Sequence, residues 1–488
     1  MRSFWSMAAL LLVVLCAPSS SVGNSGSVLP QPLAQTVAAN LPASDPSPMI
    51  SFAPTPTSAP SPTPSLTPVP TISMAPAVVA PAPVTLTNAG ISGTEPTVSV
   101  DPATGAIAVV SQHVPWPKMC SRSSVVISRD KGKTWSAPIL PMGSGCQDIH
   151  AVVAWGPNSR LWFGDALGVS GGVKMAVSYS DNFGKSWAKF FTQPYTPAWV
   201  GCFPMMIVDN DPASPAYGTL YVDYNWQASR TTGPGLHIMA KPQNGPWTAV
   251  EVPAVGLAGY KAHNRIGYRL EPIAGGLIVA WYESDLRTFY PGSVLTDGSG
   301  SNIGRVGFAT ATLTWNAGKL TVGASVWARN VSHTESLLRD PRWQYQLAAD
   351  YAAVPSGSDL RSQVNTYLAV SDGAGHILLG TQAVGAAWTW RTMAAGFHPV
   401  LAVERASATS PEVIFVGWHA GSPAHNYYTL SYDGGATWRP TAQVSSAWSI
   451  PGVINGAGLR ENAVFANGVF VWAFGHGGSS SAVVTIAP

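Results

Sequence analysis

The chain has 488 residues, of which only 50 are charged, 26 Lys and Arg against 24 Asp and Glu, for a net charge of +2. Soluble chains carry roughly a quarter charged residues, and a near-neutral balance gives no electrostatic footprint for nucleic acid or an acidic membrane surface. With 19 Trp, 48 Gly and 42 Pro, the composition points instead to an aromatic-packed β-protein of the extracellular space.

Residues 1–23 carry one early positive charge, Arg2, an apolar run from Ala8 to Cys16 and a small-residue end at Ser21-Val22-Gly23. This pattern reads as a cleaved secretion signal. The apolar run is well short of the ~20 residues that span a bilayer, so no membrane span is expected after cleavage. Leu15, bulky where a small residue should precede Cys16, argues against a lipid anchor. Residues 24–83 are almost free of charge and rich in Pro, Ser, Thr and Ala, with SFAPTPTSAPSPTPSLTPVP as the extreme. Nothing there can bury a core, and regularly spaced proline favours an extended polyproline stalk, a site for O-linked sugar.

From residue 84 to 488 the chain reads as one domain of short strands, among them TVSV, AIAVV, SVVIS, RLWFG, GTLYVDY, GLIVAWY, EVIFVGW and GVFVWAF, each ended by Gly, Pro, Asn or Asp. No stretch has a helical period. Gly93, Gly145, Gly201 and Gly396 precede strand-like runs, and a tryptophan follows 42, 42, 46 and 42 residues later, at Trp135, Trp187, Trp247 and Trp438. That is an internal repeat. The first unit ends on Ser128-x-Asp130-x-Gly132-x-Thr134-Trp135 and the last on Ser431-x-Asp433-x-Gly435-x-Thr437-Trp438. The second, SYSDNFGKSW, reads as the same turn with one residue inserted between Asp181 and Gly184, before Trp187. In such a turn Asp accepts from backbone amides ahead of it, Gly takes a conformation closed to residues with a Cβ, and Trp packs on the neighbouring unit.

A four-stranded unit recurring every ~40–65 residues is a β-propeller pattern. The stretch from Gly201 to Gly396 holds three blades, starting near Gly201, His263 and Tyr345, which gives seven in all. Six is the alternative, because the unit near Tyr345 has only a weak Gly385-Ala386-Ala387-Trp388 turn. After Gly458 only ENAVFA, GVFVWAF and SAVVTIA remain, so PVTLTNA at residues 83–89 is expected to supply the fourth strand and close the ring. Once the signal is removed Cys120, Cys146 and Cys202 remain. In an oxidising compartment one disulfide is expected, Cys120 with Cys146, leaving one thiol.

The two complete Asp boxes, the altered one and the segment GTEPTVSVDPATGAIAVV resemble the sialidase-like, BNR-repeat β-propellers over roughly residues 84–488. The resemblance implies a ligand face where first strands begin and second strands turn into third. It places Asp130, Asp181 and Asp433 on the opposite face, outside any chemistry. It does not fix an activity, since glycosidases and binding propellers share the box. A sialidase site clamps a carboxylate with three arginines and uses a tyrosine nucleophile with a glutamate base and an aspartate acid/base. Here Thr94-Glu95-Pro96 stands where sialidases resemble one another in Arg-Ile-Pro, so one arginine is missing.

The remaining candidates follow from position. Arg265, Arg269, Arg287, Arg342 and Arg460 fall near ligand-face segments, as do Tyr282, Glu283 and Asp148. A surface or blade-bridging charge is the ordinary role of such arginines, and adjacent strand residues such as Tyr282 and Glu283 point to opposite faces. Glu95, Trp116, Trp226, His398, Trp418, His419 and Tyr427 suit sugar stacking and hydrogen bonding. The histidines lack the spacing of a metal signature, and no cofactor is expected. Asp209-Asn210-Asp211-Pro212 reads as a hairpin turn rather than a calcium loop. The resulting expectation is a monomeric, secreted propeller that handles an extracellular glycan or glycoprotein, by recognition or by exo-glycoside hydrolysis of the sialidase type. A purely structural surface protein is the third possibility.

Overall fold

Consecutive apolar residues in a strand point to opposite faces, so a run such as AIAVV needs a partner on both. A ring of stacked sheets provides it. In the computed structural model the described residues are 84–91, 94–113, 122–141, 148–169, 172–192, 199–200, 204–227, 235–255, 264–284, 306–316, 318–331, 345–351, 364–372, 375–383, 386–405, 412–421, 425–444, 461–476 and 480–488. The expected signal, the stalk to residue 83, and Cys120, Cys146 and Cys202 lie outside them.

Seven antiparallel sheets follow one another along the chain, each an up-and-down meander. Blade 1 contains Thr94–Val100, Ile107–His113 and Arg122–Ser128, with its fourth strand reduced to a bridge between Val125 and Ile139. Blade 2 contains Asp148–Gly156, Arg160–Val169, Gly172–Ser180 and Ala188–Thr192. In blade 3 the first strand is broken into Trp199–Val200 and Met206–Val208, ahead of Leu220–Gln227, Gly235–Lys241 and Thr248–Val252. Blade 4 runs through Asn264–Ile273, Gly276–Ser284 and Val306–Asn316 to a fourth strand broken into Lys319–Val322 and Val326–Val331. Blade 5 is Tyr345–Tyr351, Val364–Ser371, His376–Gln382 and Thr389–Ala395, and blade 6 is Phe397–Glu404, Val413–Ala420, His425–Ser431 and Ala442–Gln443. Blade 7 combines Asn462–Ala466, Val469–His476 and Ser480–Ile486 with Val84–Asn88 from the other end of the domain. Among the described residues the only helical turn is Pro157–Ser159.

Seven apolar clusters fill the seven interfaces. Ala108 and Val110 join the cluster against blade 2, while Ile107 and Val109 face blade 7, so a single strand feeds two interfaces. The remaining clusters lie between blades 2 and 3, 3 and 4, 4 and 5, 5 and 6, and 6 and 7. This settles the count at seven, because the unit starting at Tyr345 makes a full four-stranded sheet without a box turn. Closure is as expected. Val84 to Asn88 pairs with Ile486 to Ala482, and the Asn462 side chain bonds both the amide and the carbonyl of Val98, at 2.8 and 2.9 Å, tying blade 7 to blade 1.

The repeated turns have the expected wiring at both ends of the series. Asp130 accepts from the Thr134 amide at 2.8 Å and its hydroxyl at 2.6 Å, and Ser128 Oγ accepts from the Gly132 amide. These bonds draw the Asp130 carboxyl down to about 2. Gly132, Gly184 and Gly435 have φ of 87°, 79° and 92°, which requires glycine. The second turn corrects the sequence reading. Nothing is inserted: Asn182 takes the aspartate's place, bonding Ser180 and the Ser186 amide, and Asp181 points outward into a bidentate pair with Arg160 at 2.6 and 2.9 Å. A carboxamide oxygen accepts from the same amides as a carboxylate, so Asn182 supports the turn in the expected register. Trp135, Trp187 and Trp438 pack against interblade clusters as expected but remain half-buried, since each ring follows a solvated turn.

Candidate functional site

The chain enters every first strand at one end of the ring, the end that also carries the second-to-third-strand connections. The Ser-x-Asp/Asn-x-Gly turns stand at the other end. At the first end, four of the seven blades share a β-bulge. Register shifts fall between Thr94 and Thr97, Ile149 and Val152, Ile266 and Arg269, and Phe397 and Val400. Two residues of the first strand therefore face a single residue of the second. That single residue is Ser111 in blade 1, Asp165 in blade 2, Trp281 in blade 4 and Trp418 in blade 6. Bulges re-aim side chains and concentrate beside functional sites.

Buried polar groups gather at the same end. Asp165, Asp223 and Glu283 are fully buried on the second strands of blades 2, 3 and 4, and Arg269 is 3% exposed on the first strand of blade 4. Asp223 accepts from the Met205 amide across the break in blade 3, and Arg269 Nη1 lies 3.5 Å from Met205 Sδ. In blades 5, 6 and 7 the side chains connect directly. Glu461 Oε2 accepts from His419 Nε2 at 2.6 Å, Glu461 Oε1 accepts from the Gly475 amide at 3.1 Å, and Gln346 Nε2 donates to the Glu461 carbonyl. His419 Nδ1 meets Asn426 Oδ1 at 2.6 Å, and the ring of His398 lies 6.2 Å from that of His419. The network thus spans three blades.

The sequence candidates separate on this geometry. Tyr282 packs edge-on to Phe308 between blades 4 and 5, while Glu283, on the other face, accepts from the Trp281 indole at 2.6 Å and the Val255 amide at 3.0 Å. The two are adjacent in sequence but not a facing pair. Trp418, expected as a sugar platform, is corrected. It is 2% exposed, stacks on half-buried Tyr427 at 6.3 Å, and sits so close to Gly396 that a Cβ there would lie 2.5 Å from its ring. That contact also explains the glycine before the blade-6 strand. His419 is likewise corrected from ligand contact to internal brace, since both its nitrogens are engaged within the protein.

Glu95, Asp148 and Arg265 lie on first strands at the bulged end, and Trp226 lies on the second strand of blade 3 opposite Gly235. Trp116, Arg287, Arg342 and Arg460 fall outside the described residues. Sequence reading passed over His150 and Asp165, whose spacing from Gly145 gives no signal until the bulge pairs them, and it gave Arg269 no more weight than the other arginines. Among the described residues, no group of three His, Cys, Asp or Glu is arranged to hold a metal ion.

At the far end, the 209–219 connection of blade 3 is the turn expected from its sequence. Asp209 accepts from the Asp211 amide at 3.1 Å and Ser214 Oγ at 2.5 Å. It also crosses the ring, for Asn210 donates to the Trp155 carbonyl of blade 2 and Arg405 of blade 6 pairs with Asp211 at 3.3 Å. Burial pushes the Asp209 carboxyl up to about 6.

Neither a protein-family model nor a curated protein matches the sequence. Solved structures do. A Hadza microbial sialidase is 14% identical, with 81% of this chain and 65% of that one covered and a TM-score of 0.43, so this chain spans about 65% of its length. The α-L-arabinofuranosidase of Fusarium graminearum in complex with arabinobiose is 12% identical over 82% and 96%, with a TM-score of 0.44. An ulvan lyase is 10% identical over 81% and 94%, at 0.46. These neighbours are carbohydrate-active propellers. At such identities the likeness transfers no residue role to this chain.

Proposed function

We propose that the protein is secreted and binds an extracellular saccharide at the bulged end of the ring. The observation that carries this reading is the layer of buried polar side chains there, contributed by blades 2 to 7. Convergent polar groups in an apolar frame suit a ligand that presents many hydroxyls. Recognition is favoured over sialidase-type hydrolysis because Glu95 stands where an arginine would and Tyr282 does not face Glu283. Glu95, Asp148, Arg265 and Trp226 are the residues assigned to the mouth of the site. The 1–23 signal pattern supports export, and no helix among the described residues is long and apolar enough to cross a membrane.

The test is a glycan array run beside fluorogenic sialosides and arabinofuranosides. Retention of a glycan, weakened by Trp226→Ala and unaffected by Asp130→Ala, with no turnover of either substrate, is the expected result. Turnover abolished by Arg265→Ala would establish the hydrolase instead. Absence of both binding and turnover would remove the carbohydrate reading.

A further inference from the structure

First strands join second strands at the far end of the ring, around the mouth of the central channel. In blades 1, 2, 4 and 7 the join is short, made within residues 101–106, 157–159, 274–275 and 467–468, whereas blade 3 uses residues 209–219. This longer connection folds on itself. The Gly218 amide donates to the Asp209 carbonyl at 2.8 Å, the Ser214 amide to the Asp211 carbonyl at 2.9 Å, and Ser214 Oγ to Asp209 Oδ2 at 2.5 Å. It is also fastened to three other blades. Asn210 Nδ2 donates to the Trp155 carbonyl of blade 2 at 2.8 Å, the Gly275 amide of blade 4 donates to Ser214 Oγ at 3.1 Å, and Arg405 of blade 6 pairs with Asp211 at 3.3 Å. Blades 2 and 4 flank blade 3, but blade 6 does not. Blades 4 and 5 separate it from blade 3 on one side and blades 7, 1 and 2 on the other, so the Arg405 pair lies across the mouth.

Arg405 faces more acid than it can neutralise. Asp209 and Asp211 come from the connection and Glu271 from the first strand of blade 4. Burial is the main cause that pushes Asp209 up to about 6 and Glu271 up to about 8; Arg405 opposes both shifts, while Asp211 adds to the first and Asp209 to the second. The other acids at this end have partners of their own. Asp101 accepts from Thr104 and Ser159, Glu412 from Asn365 and Tyr367, and Glu404, next to Arg405 in the chain, lies near Tyr432. Burial also pushes the Tyr221 phenol near Asp209 upward, which keeps it neutral.

We propose that residues 209–219 form a strap that closes the far mouth of the channel in mildly acidic surroundings and lets go of blade 6 in alkaline ones. With Asp209 and Glu271 protonated, Arg405 faces one carboxylate of the strap, that of Asp211, and the pair is balanced. As pH rises, both acids lose their protons to solvent. One guanidinium then faces three carboxylates, Glu271 competes with Asp211 for it, and Glu271 repels both acids of the strap. Swinging the strap into water relieves the cost of holding those anions buried. A carboxyl raised in the closed form favours that form at low pH and ceases to as pH passes its raised value, so closure is firmest below about 6 and weakens towards about 8. With the strap in place the channel is open only at the bulged end, and with it released at both. This behaviour is independent of what the bulged end binds.

The experiment is amide hydrogen exchange on the full-length protein, read by mass spectrometry at about pH 5 and about pH 9, on either side of the two carboxyls, with rates corrected for intrinsic exchange. Between the two pH values, protection of 209–219 should fall at least about tenfold more than that of the adjoining strand Leu220–Gln227. Glu271→Gln should abolish most of that fall. Asp211→Asn keeps an acceptor for the Ala213 amide but removes the charge, and should leave the strap as weakly protected at about pH 5 as the wild type is at about pH 9. A strap equally protected at both pH values, or a loss shared equally by Leu220–Gln227, would overturn the proposal. So would an undiminished fall in Glu271→Gln, or wild-type protection in Asp211→Asn. Should Glu271→Gln fold poorly, Asp211→Asn decides.

Discussion

At the scale of single residues, Asn182 and Asp181 show how a motif can be misread by one position. Sequence matching favours the carboxylate, yet the turn needs only an acceptor four residues before the amide of Ser186, and Asn182 supplies it at 2.9 Å. Asn182→Ala should therefore destabilise the protein by about 1–2 kcal/mol through loss of that acceptor. Asp181→Ala should cost under about 1 kcal/mol, because its pair with Arg160 is exposed. Denaturant titration of the two variants separates them, and a larger loss for Asp181 would contradict the assignment. Trp418 carries the same lesson for function. Its aromatic face looks like a sugar platform in sequence, but its place opposite a bulge puts it inside the wall between blades 5 and 6.

At the scale of elements, the strand Val84–Asn88 determines whether the ring is closed. It covers the last strand of blade 7, and Val84 and Leu86 pack on the cluster shared with blade 6. Deleting residues 84–89 removes five paired residues and an apolar face together, and should lower stability by about 3–5 kcal/mol. An unchanged melting temperature in that truncation would refute closure by this strand. Asn462 makes a second clasp by imitating a backbone pair with Val98, a role without any sequence signature, because its partner is 364 residues away.

For the whole molecule, the two ends of the ring hold different chemistry, and the far end ties the blades together electrostatically. Burial pushes the Glu271 carboxyl of blade 4 up to about 8, with Arg405 of blade 6 opposing and Asp209 of blade 3 adding to the shift. The folded state thus keeps a proton that the unfolded chain, at its ordinary 4.5, releases. Stability from this group is present below pH 4.5 and is lost as pH rises to about 8. Asp209 acts in the same direction between 3.8 and about 6. Glu271→Gln should flatten the decline, so that relative to wild type the variant is more stable at pH 8 than at pH 5. Urea titrations at the two pH values measure it, and equal slopes for both proteins would count against a neutral Glu271.

The propeller pattern was legible along the chain, with the choice between six and seven blades left to the pairing of the Tyr345 unit. Strand alternation, the 42-residue spacing and the Ser-x-Asp-x-Gly turns are local, and local pattern is enough to define a blade and its repetition. Even the closing strand was legible, because a three-stranded last unit leaves an edge that needs a partner. The site was not. His150, Asp165, Arg269 and Glu461 come from different blades, and no spacing along the chain says that bulges bring some of them to one end or that a tryptophan between them turns inward. Those points depend on contacts far apart in sequence, since a bulge is defined by pairing across strands and burial by packing across blades.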